Sequence, residues 1–174
     1  LYTNGAIGDA YLGLKLLQDA SLAEAWGLTE ADVECLTDRY RRPPIDTGAA
    51  LLIRNFAKAA IDVSDGLAAD LEKLCGVSHV GAEIQIGRVP FSPEVRKALR
   101  AMPALLGDLV AAGDDYAALI AVSETSAALF ESEAESHGVP FVRLGRITDA
   151  TDGVRLLEQG GRVMALERKG FSHF

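Results

Sequence analysis

Two aspartates and a serine stand where an apolar segment changes from strand to helical spacing. The segment AAIDVSDGLAAD (residues 59–70) begins as a predicted buried strand, and leucines recur at helical spacing from Leu67 onward. Asp62, Ser64 and Asp65 fall at the change of period. A corner between a strand and a helix presents unpaired backbone N–H groups and the positive end of the helix dipole, which suit phosphate, while carboxylates suit a hard cation. This corner is therefore a candidate site for a magnesium-bound nucleotide.

Helix capping is the alternative interpretation of the same corner. Ser64 is a favourable N-cap residue, and Asp65 in a first helical turn would stabilise the helix dipole. Asp62 is harder to explain in this way, because an acid at the end of a buried strand needs a partner or solvent. The residues by themselves leave both interpretations open.

A second acidic segment, AGDDY at residues 112–116, precedes a predicted apolar strand. Adjacent acids in an extended segment point to opposite sides, so Asp114 and Asp115 are not expected to bind one metal ion together. If one of them faces a ligand, the other makes a structural contact or meets solvent. A polar turn that simply leads into the strand is the alternative.

Two further segments have residue types that suit a ligand. Gly5 and Gly8 precede the first predicted helix, where glycine allows either close backbone approach to a ligand or an ordinary turn. The segment GFSHF at residues 170–174 places aromatic side chains outside any periodic element. Such a segment either packs on the core or closes over a ligand.

The predicted elements indicate an α+β fold with a mixed β-sheet and helices packed on it. Strands and helices interleave irregularly, which argues against a strict βαβ series. We expect a single domain over residues 1–174. Within it we expect a helix over about 46–58 that buries Leu51, and one strand over 141–147.

Composition and charge exclude several classes of function. The 174 residues carry a net charge of −8, which argues against a nucleic-acid partner, since such binding needs a basic field. No apolar run approaches the roughly 20 residues of a membrane span. Cys35 and Cys75 lack metal-ligand spacing and are expected to be structural thiols in a reducing cytoplasm. The chain opens on Leu1 instead of Met, so we expect a piece of a longer protein.

Four segments in order resemble the C-terminal domain of thiamine-monophosphate kinase. They are residues 4–9 (NGAIGD), 60–67 (AIDVSDGL), 112–116 (AGDDY) and 170–174 (GFSHF). This family belongs to the superfamily of aminoimidazole ribonucleotide synthetase, selenophosphate synthetase and a hydrogenase maturation factor. The resemblance implies that this chain is one half of a cytoplasmic, homodimeric enzyme that phosphorylates thiamine monophosphate to thiamine diphosphate with ATP. It also implies an N-terminal domain, outside this chain, that supplies most nucleotide and magnesium ligands.

The resemblance also implies roles for five residues. Asp62 and Asp65 would bind Mg²⁺ ions that bridge the ATP phosphates, and Ser64 would contact ATP. Asp114 would contact thiamine monophosphate, and Phe171 would lie against its aromatic part. A phosphate acceptor is already an anion near neutral pH, so transfer needs positioning and charge neutralisation more than a general base.

Departures from the family pattern keep other functions open. Ala111 and Ala112 stand where small polar residues or glycines are usual, and Ala117 stands where a glutamate often follows the tyrosine. One alternative is another ATP-using member of the superfamily, like aminoimidazole ribonucleotide synthetase or the hydrogenase maturation factor. The other is a non-catalytic binding or assembly domain. As the C-terminal half of such a kinase, the isolated chain is expected to fold alone and to have no kinase activity.

Overall fold

Seven strands and eight α-helices occupy residues 1–166, the part of the chain that the computed structural model describes. The α+β class expected from the sequence is confirmed. The strands are β1 (Tyr2–Thr3), β2 (Ala57–Asp62), β3 (Gly81–Gln85), β4 (Ala118–Val122), β5 (Val142–Arg143), β6 (Gly145–Thr148) and β7 (Val154–Leu157). The helices are α1 (Asp9–Gln18), α2 (Leu22–Ala25), α3 (Glu30–Arg41), α4 (Ala49–Phe56), α5 (Leu67–Ser78), α6 (Pro93–Ala101), α7 (Leu105–Ala111) and α8 (Glu124–Ser136).

The strands form two sheets. The larger is antiparallel with the order β2-β4-β1-β5, and Ile61 of β2 lies opposite Leu119 of β4. The smaller has the order β6-β3-β7 and is mixed, because β3 runs antiparallel to β6 and parallel to β7. No helix among residues 1–166 is long and apolar enough to cross a membrane.

The prediction of a single strand over residues 141–147 is wrong, because this segment divides between the two sheets. Its first part, β5, pairs with β1, and its second part, β6, pairs with β3. Leu144 lies between them and is fully buried. Gly145 makes the crossing possible, since a Cβ atom there would lie 1.8 Å from the carbonyl oxygen of Glu83. This crossing ties the sheets together.

Strand β2 is an edge strand and not the buried strand that its apolar sequence suggests. It pairs with β4 alone among the described strands, and its side chains alternate between half-buried and exposed. Ala60 and Asp62 lie on the exposed face. The small alanines mislead because they are apolar yet cost little to expose. Asp62 is therefore in solvent, at the end of the strand.

Both faces of the larger sheet are covered by helices. Leu119 and Ile120 are adjacent in β4, so their side chains point to opposite faces, and both are fully buried. Leu119 joins a core with Leu71 of α5, whereas Ile120 joins one with Phe130 of α8. The Phe130 ring contacts the Tyr2 ring edge to face, with centroids 5.0 Å apart.

Helix α4 begins later than predicted, and it exposes a leucine that was predicted to be buried. It runs over Ala49–Phe56 and buries Ala49 and Leu52 against the core around Phe130. Leu51, predicted to be buried, is 62% exposed. Leu51 shares a helix face with Arg54 and Asn55, so the 3.6-residue period itself places it toward solvent, and the prediction misassigned the face.

Helix α1 packs closely on α3 through a glycine. A Cβ atom at Gly13 would lie 2.2 Å from the carbonyl oxygen of Leu36 and 2.9 Å from the Cβ atom of Tyr40. The backbone of α3 cannot move aside without disturbing the core that Leu12 and Leu36 share. The approach of the two helices therefore requires glycine at this position.

We predict that Gly13→Ala lowers the free energy of unfolding by about 1–3 kcal/mol, because the methyl group overpacks the contact between α1 and α3. Gly76→Ala is the matched control, since Gly76 lies within α5 and no atom of the described residues would lie within 4 Å of the added methyl group. The control should be neutral or stabilising by up to about 1 kcal/mol, as alanine favours helix. Urea denaturation of both variants measures this, and equal stabilities would contradict it.

Candidate functional site

The two acidic segments singled out in the sequence lie side by side. The corner loop (residues 62–66) follows β2, and the acidic loop (residues 112–116) precedes β4, the strand paired with β2. The pairing of these strands continues into the loops as three backbone hydrogen bonds. They run from Asp114 N to Ser64 O (3.0 Å), from Tyr116 N to Val63 O (2.9 Å) and from Val63 N to Ala117 O (2.8 Å).

Gly113 sets how closely the two loops approach. A Cβ atom at Gly113 would lie 2.0 Å from the carbonyl oxygen of Ser64. Any larger residue would push the acidic loop off the corner loop. The glycine of the AGDDY segment is thus required by the contact between the loops.

The corner loop is held by the buried carboxylate of Asp70. One carboxylate oxygen, Oδ2, accepts hydrogen bonds from the backbone N–H groups of Ser64 (2.9 Å), Asp65 (2.9 Å) and Gly66 (3.1 Å). Asp70 is 1% exposed and lies in the first turn of α5, where the helix dipole favours a negative charge. These N–H groups, which the sequence suggested for phosphate, are therefore already satisfied.

The capping roles predicted for Ser64 and Asp65 are wrong. Helix α5 begins at Leu67 with Gly66 as its N-cap residue, and no side chain at that position caps the helix. Ser64 and Asp65 therefore precede the helix. Asp70 binds the N–H groups of residues 64–66, which come before the helix, and so fixes the corner loop.

Sequence reasoning missed Asp70, although a signal was present. Asp70 shares the apolar face of α5 with Leu67, Leu71 and Leu74, all of which are buried. An acid on such a face must have hydrogen-bond partners. The nearest candidates were the N–H groups of the corner loop.

Lys73 is the second residue that the sequence analysis overlooked. Its ammonium group forms an ion pair with the carboxylate of Asp65 and another with Asp70 Oδ1 at 2.7 Å. Lys73 follows Asp70 by three residues, so both side chains lie on neighbouring positions of one helix face. The corner therefore contains a cation as well as acids.

The donor set at the corner fits part of a magnesium site. Among residues 1–166 no three His, Cys, Asp or Glu side chains form a group that could hold a metal ion. Mg²⁺ usually keeps several waters and is bound through one or two carboxylates together with substrate phosphates. Asp62 and Asp65 supply two such carboxylates in the same loop as Ser64.

The two acids of the acidic loop have separate surroundings, as the sequence predicted. Asp115 is buried, and its carboxylate accepts hydrogen bonds from the N–H groups of Gly8 (2.6 Å) and Ala10 (3.1 Å) at the start of α1. Burial raises the pKa of Asp115 to about 7, against the opposite effect of these two hydrogen bonds. Asp114 has left-handed backbone geometry, with a φ angle of 70°. Asp115 thus anchors the loop that presents Asp114.

A cleft of about 220 Å³ opens beside Asp114. Its lining includes Tyr116, which is 47% exposed, and the apolar side chain of Ile45. Arg39 also lines the cleft and forms an ion pair with Asp9. Arg39 lies in the last turn of α3 and makes this contact across to α1. The cleft combines negative charge with apolar and aromatic surface.

The structure brings four of the five predicted site residues into adjoining loops. Asp62, Ser64 and Asp65 occupy the corner loop, and Asp114 is hydrogen-bonded to it through its backbone. Phe171 lies outside the described residues, so its predicted role stays a prediction.

A family comparison identifies the class of protein. Residues 6–157 match the family model of the AIR synthase related protein, C-terminal domain. The chain belongs to this family. The corner loop, the acidic loop and strands β2 to β7 fall within the matched residues.

Relatives of known name narrow the comparison. The chain is 31% identical over 175 residues to thiamine-monophosphate kinase of Escherichia coli K12, a match that covers all of this chain and 52% of that protein. The crystal structure of thiamine-monophosphate kinase from Stenotrophomonas maltophilia K279a superposes with a TM-score of 0.77 at 33% identity, over 94% of this chain and 50% of that one. The structure of AaThiL complexed with AMPPCP and TMP superposes with a TM-score of 0.76 at 27% identity, over 99% of this chain and 50% of that one. The chain thus spans about half the length of these relatives.

We predict that Asp115 makes the stability of the fold depend on pH. Its pKa is raised to about 7 in the folded chain, whereas an unfolded aspartate titrates near about 3.9. Between these values the folded state binds the extra proton, so the free energy of unfolding falls as pH rises toward 7 and levels off above it. Burial raises the pKa of Asp9 as well, so Asp9 contributes with the same sign.

Comparison with Asp115→Asn isolates the contribution of Asp115, because Asp9 is unchanged in both proteins. The stability advantage of the wild type over Asp115→Asn should shrink as pH rises from 5 to 8. Urea denaturation at a series of pH values measures it. An advantage that is constant or grows with pH would show that Asp115 is ionised throughout.

Proposed function

We propose that this chain is the C-terminal half of a thiamine-monophosphate kinase. The reaction transfers the γ-phosphoryl group of ATP to thiamine monophosphate and yields thiamine diphosphate and ADP. Family membership and the similarity to thiamine-monophosphate kinases along the whole chain support this proposal. The AaThiL complex supports it further, with AMPPCP taken as an ATP analogue and TMP as thiamine monophosphate.

The contact between the corner loop and the acidic loop carries the proposal. The backbone N–H of Asp114 donates to the carbonyl oxygen of Ser64 at 3.0 Å, so a group bound at one loop lies next to a group bound at the other. Phosphoryl transfer depends mainly on positioning donor and acceptor and on neutralising charge. Two adjoining loops, one for each substrate, meet the first requirement.

The corner loop is the proposed nucleotide side. Asp62 and Asp65 would hold Mg²⁺, and the hydroxyl group of Ser64 would contact ATP. When bound, Mg²⁺ neutralises charge on the phosphates. Asp62 is well suited because it is exposed at the end of β2. Asp70 keeps the loop in shape without itself facing the nucleotide, since its Oδ2 atom is committed to three N–H groups.

The acidic loop and its cleft are the proposed acceptor side. Thiamine carries a cationic thiazolium ring and a second aromatic ring, so acidic, apolar and aromatic surface suits it. Asp114 supplies the charge, and Tyr116 and Ile45 supply apolar surface in the same cleft. Phe171 is proposed to lie against the aromatic part of the substrate.

The other half of the protein would complete the site. The chain offers two carboxylates for metal, so the remaining nucleotide and magnesium ligands are assigned to an N-terminal domain. We propose that the intact protein is a homodimer, formed mainly through that domain. We place the enzyme in the cytoplasm, a reducing compartment consistent with the free thiols of Cys35 and Cys75.

We predict that Asp62→Asn in the intact protein lowers kcat for thiamine monophosphate phosphorylation by about a hundredfold or more, the usual scale for losing a charge-stabilising group. The melting temperature should stay near that of the wild type, because Asp62 is exposed. Asp149→Asn, also at an exposed position, is the control and should leave kcat unchanged. ADP release coupled to a spectrophotometric assay measures turnover. Retained activity would remove Asp62 from the site.

Asp114→Asn should raise the KM for thiamine monophosphate several-fold and leave the KM for ATP nearly unchanged. Asparagine is the appropriate substitution, because it tolerates the left-handed backbone that Asp114 adopts.

Phe171→Ala should also raise the KM for thiamine monophosphate selectively, through the loss of an aromatic contact worth about 0.5–2 kcal/mol. A loss confined to KM indicates uniform binding. An equal rise in the KM for ATP, in either variant, would contradict the assignment of that residue to the acceptor side.

A further inference from the structure

Lys73 occupies an unusual position for a residue without an assigned role. Its ammonium group contacts two carboxylates at once, one on Asp65 and one on Asp70. Lysine is protonated at neutral pH, and both contacts are ion pairs. The ammonium group therefore stays charged at neutral pH.

The two carboxylates depend on Lys73 to different extents. Asp70 is buried, and its Oδ2 atom accepts three backbone N–H groups while its Oδ1 atom accepts from Lys73, so the three backbone hydrogen bonds do not depend on the ammonium group. Asp65 is partly exposed, and its side chain is held by Lys73. Removal of Lys73 thus frees the Asp65 carboxylate and leaves in place the three hydrogen bonds that Asp70 Oδ2 accepts from the corner loop.

Lys73 is also placed so that it can move. Its side chain is 47% exposed, and lysine has a long flexible stem that can turn toward solvent. Ion pairs with this much exposure to water are weak. Another cation can therefore replace the ammonium group of Lys73 at Asp65 with little loss of free energy.

We propose that Lys73 is an exchangeable counter-cation of Asp65, which divalent metal must displace in order to bind this carboxylate. The proposal rests on the proposed function, in which Asp65 is a magnesium ligand. An ammonium group and a divalent ion repel each other when both approach the same carboxylate. Lys73 would then weaken metal binding by the protein without nucleotide. The fraction of corner loops that hold metal would depend more strongly on the metal concentration.

Metal affinity of the intact protein tests the proposal without any measurement of activity. Isothermal titration with Mn²⁺ in place of Mg²⁺, without nucleotide, is compared among the wild type and its variants. The comparison uses the Mn²⁺ site that is lost in Asp65→Asn. Lys73→Met removes the charge and keeps a helix-forming side chain, whereas Lys73→Arg keeps the charge. Lys15→Met, on α1, controls for the change in net charge.

Lys73→Met should tighten Mn²⁺ binding at this site by about three- to tenfold, the scale of one exposed charge close to a divalent ion. Lys73→Gln should act in the same way, and Lys73→Arg and Lys15→Met should stay near the wild type. Unchanged or weaker binding by both neutral variants, with the site still lost in Asp65→Asn, would overturn the proposal and leave the function intact. Mn²⁺ binding unaffected by Asp65→Asn would instead overturn the ligand role of Asp65 itself.

Discussion

The buried carboxylate of Asp70 is the interaction on which the candidate site depends. One of its oxygens accepts three consecutive backbone N–H groups, from Ser64 to Gly66, and so sets the path of the corner loop. A buried carboxylate is costly unless such hydrogen bonds compensate for lost water. The positive end of helix α5 adds to this compensation. Asp70 therefore organises the corner, and leaves Asp62 and Asp65 on its accessible side.

The acidic loop is built on the same principle. Asp115 is buried, and its carboxylate accepts N–H groups from the start of α1, as Asp70 does at the start of α5. At each loop a buried aspartate, Asp70 of α5 or Asp115, binds backbone N–H groups while an acid of the loop stays accessible. Backbone hydrogen bonds and Gly113 then hold the two loops in contact. Two helix starts and one strand pair thereby bring separate sequence motifs into one site.

The two loops of the candidate site could be predicted from the sequence, but the structural roles of their residues could not. The change of period at residues 62–66 and the acids at 112–116 correctly marked the two loops. The capping alternative for Ser64 is wrong, because residue type gives capping preference without showing where the helix begins. Leu51 was wrongly predicted to be buried, although the helical period places it on one face with Arg54 and Asn55. The single strand predicted over 141–147 was wrong because apolar character does not say which sheet a strand joins.

The sequence by itself determined the α+β class, the positions of the two acidic loops and the separation of Asp114 from Asp115. These features depend on local periodicity, turn residues and the alternation of side chains along an extended chain. Only the tertiary structure decided that Asp70 holds the corner, that Lys73 pairs with Asp65 and that the loops touch. The physical reason is that a buried charge takes whichever donors the packed chain brings to it, and these donors are set by the meeting of elements that are distant in sequence.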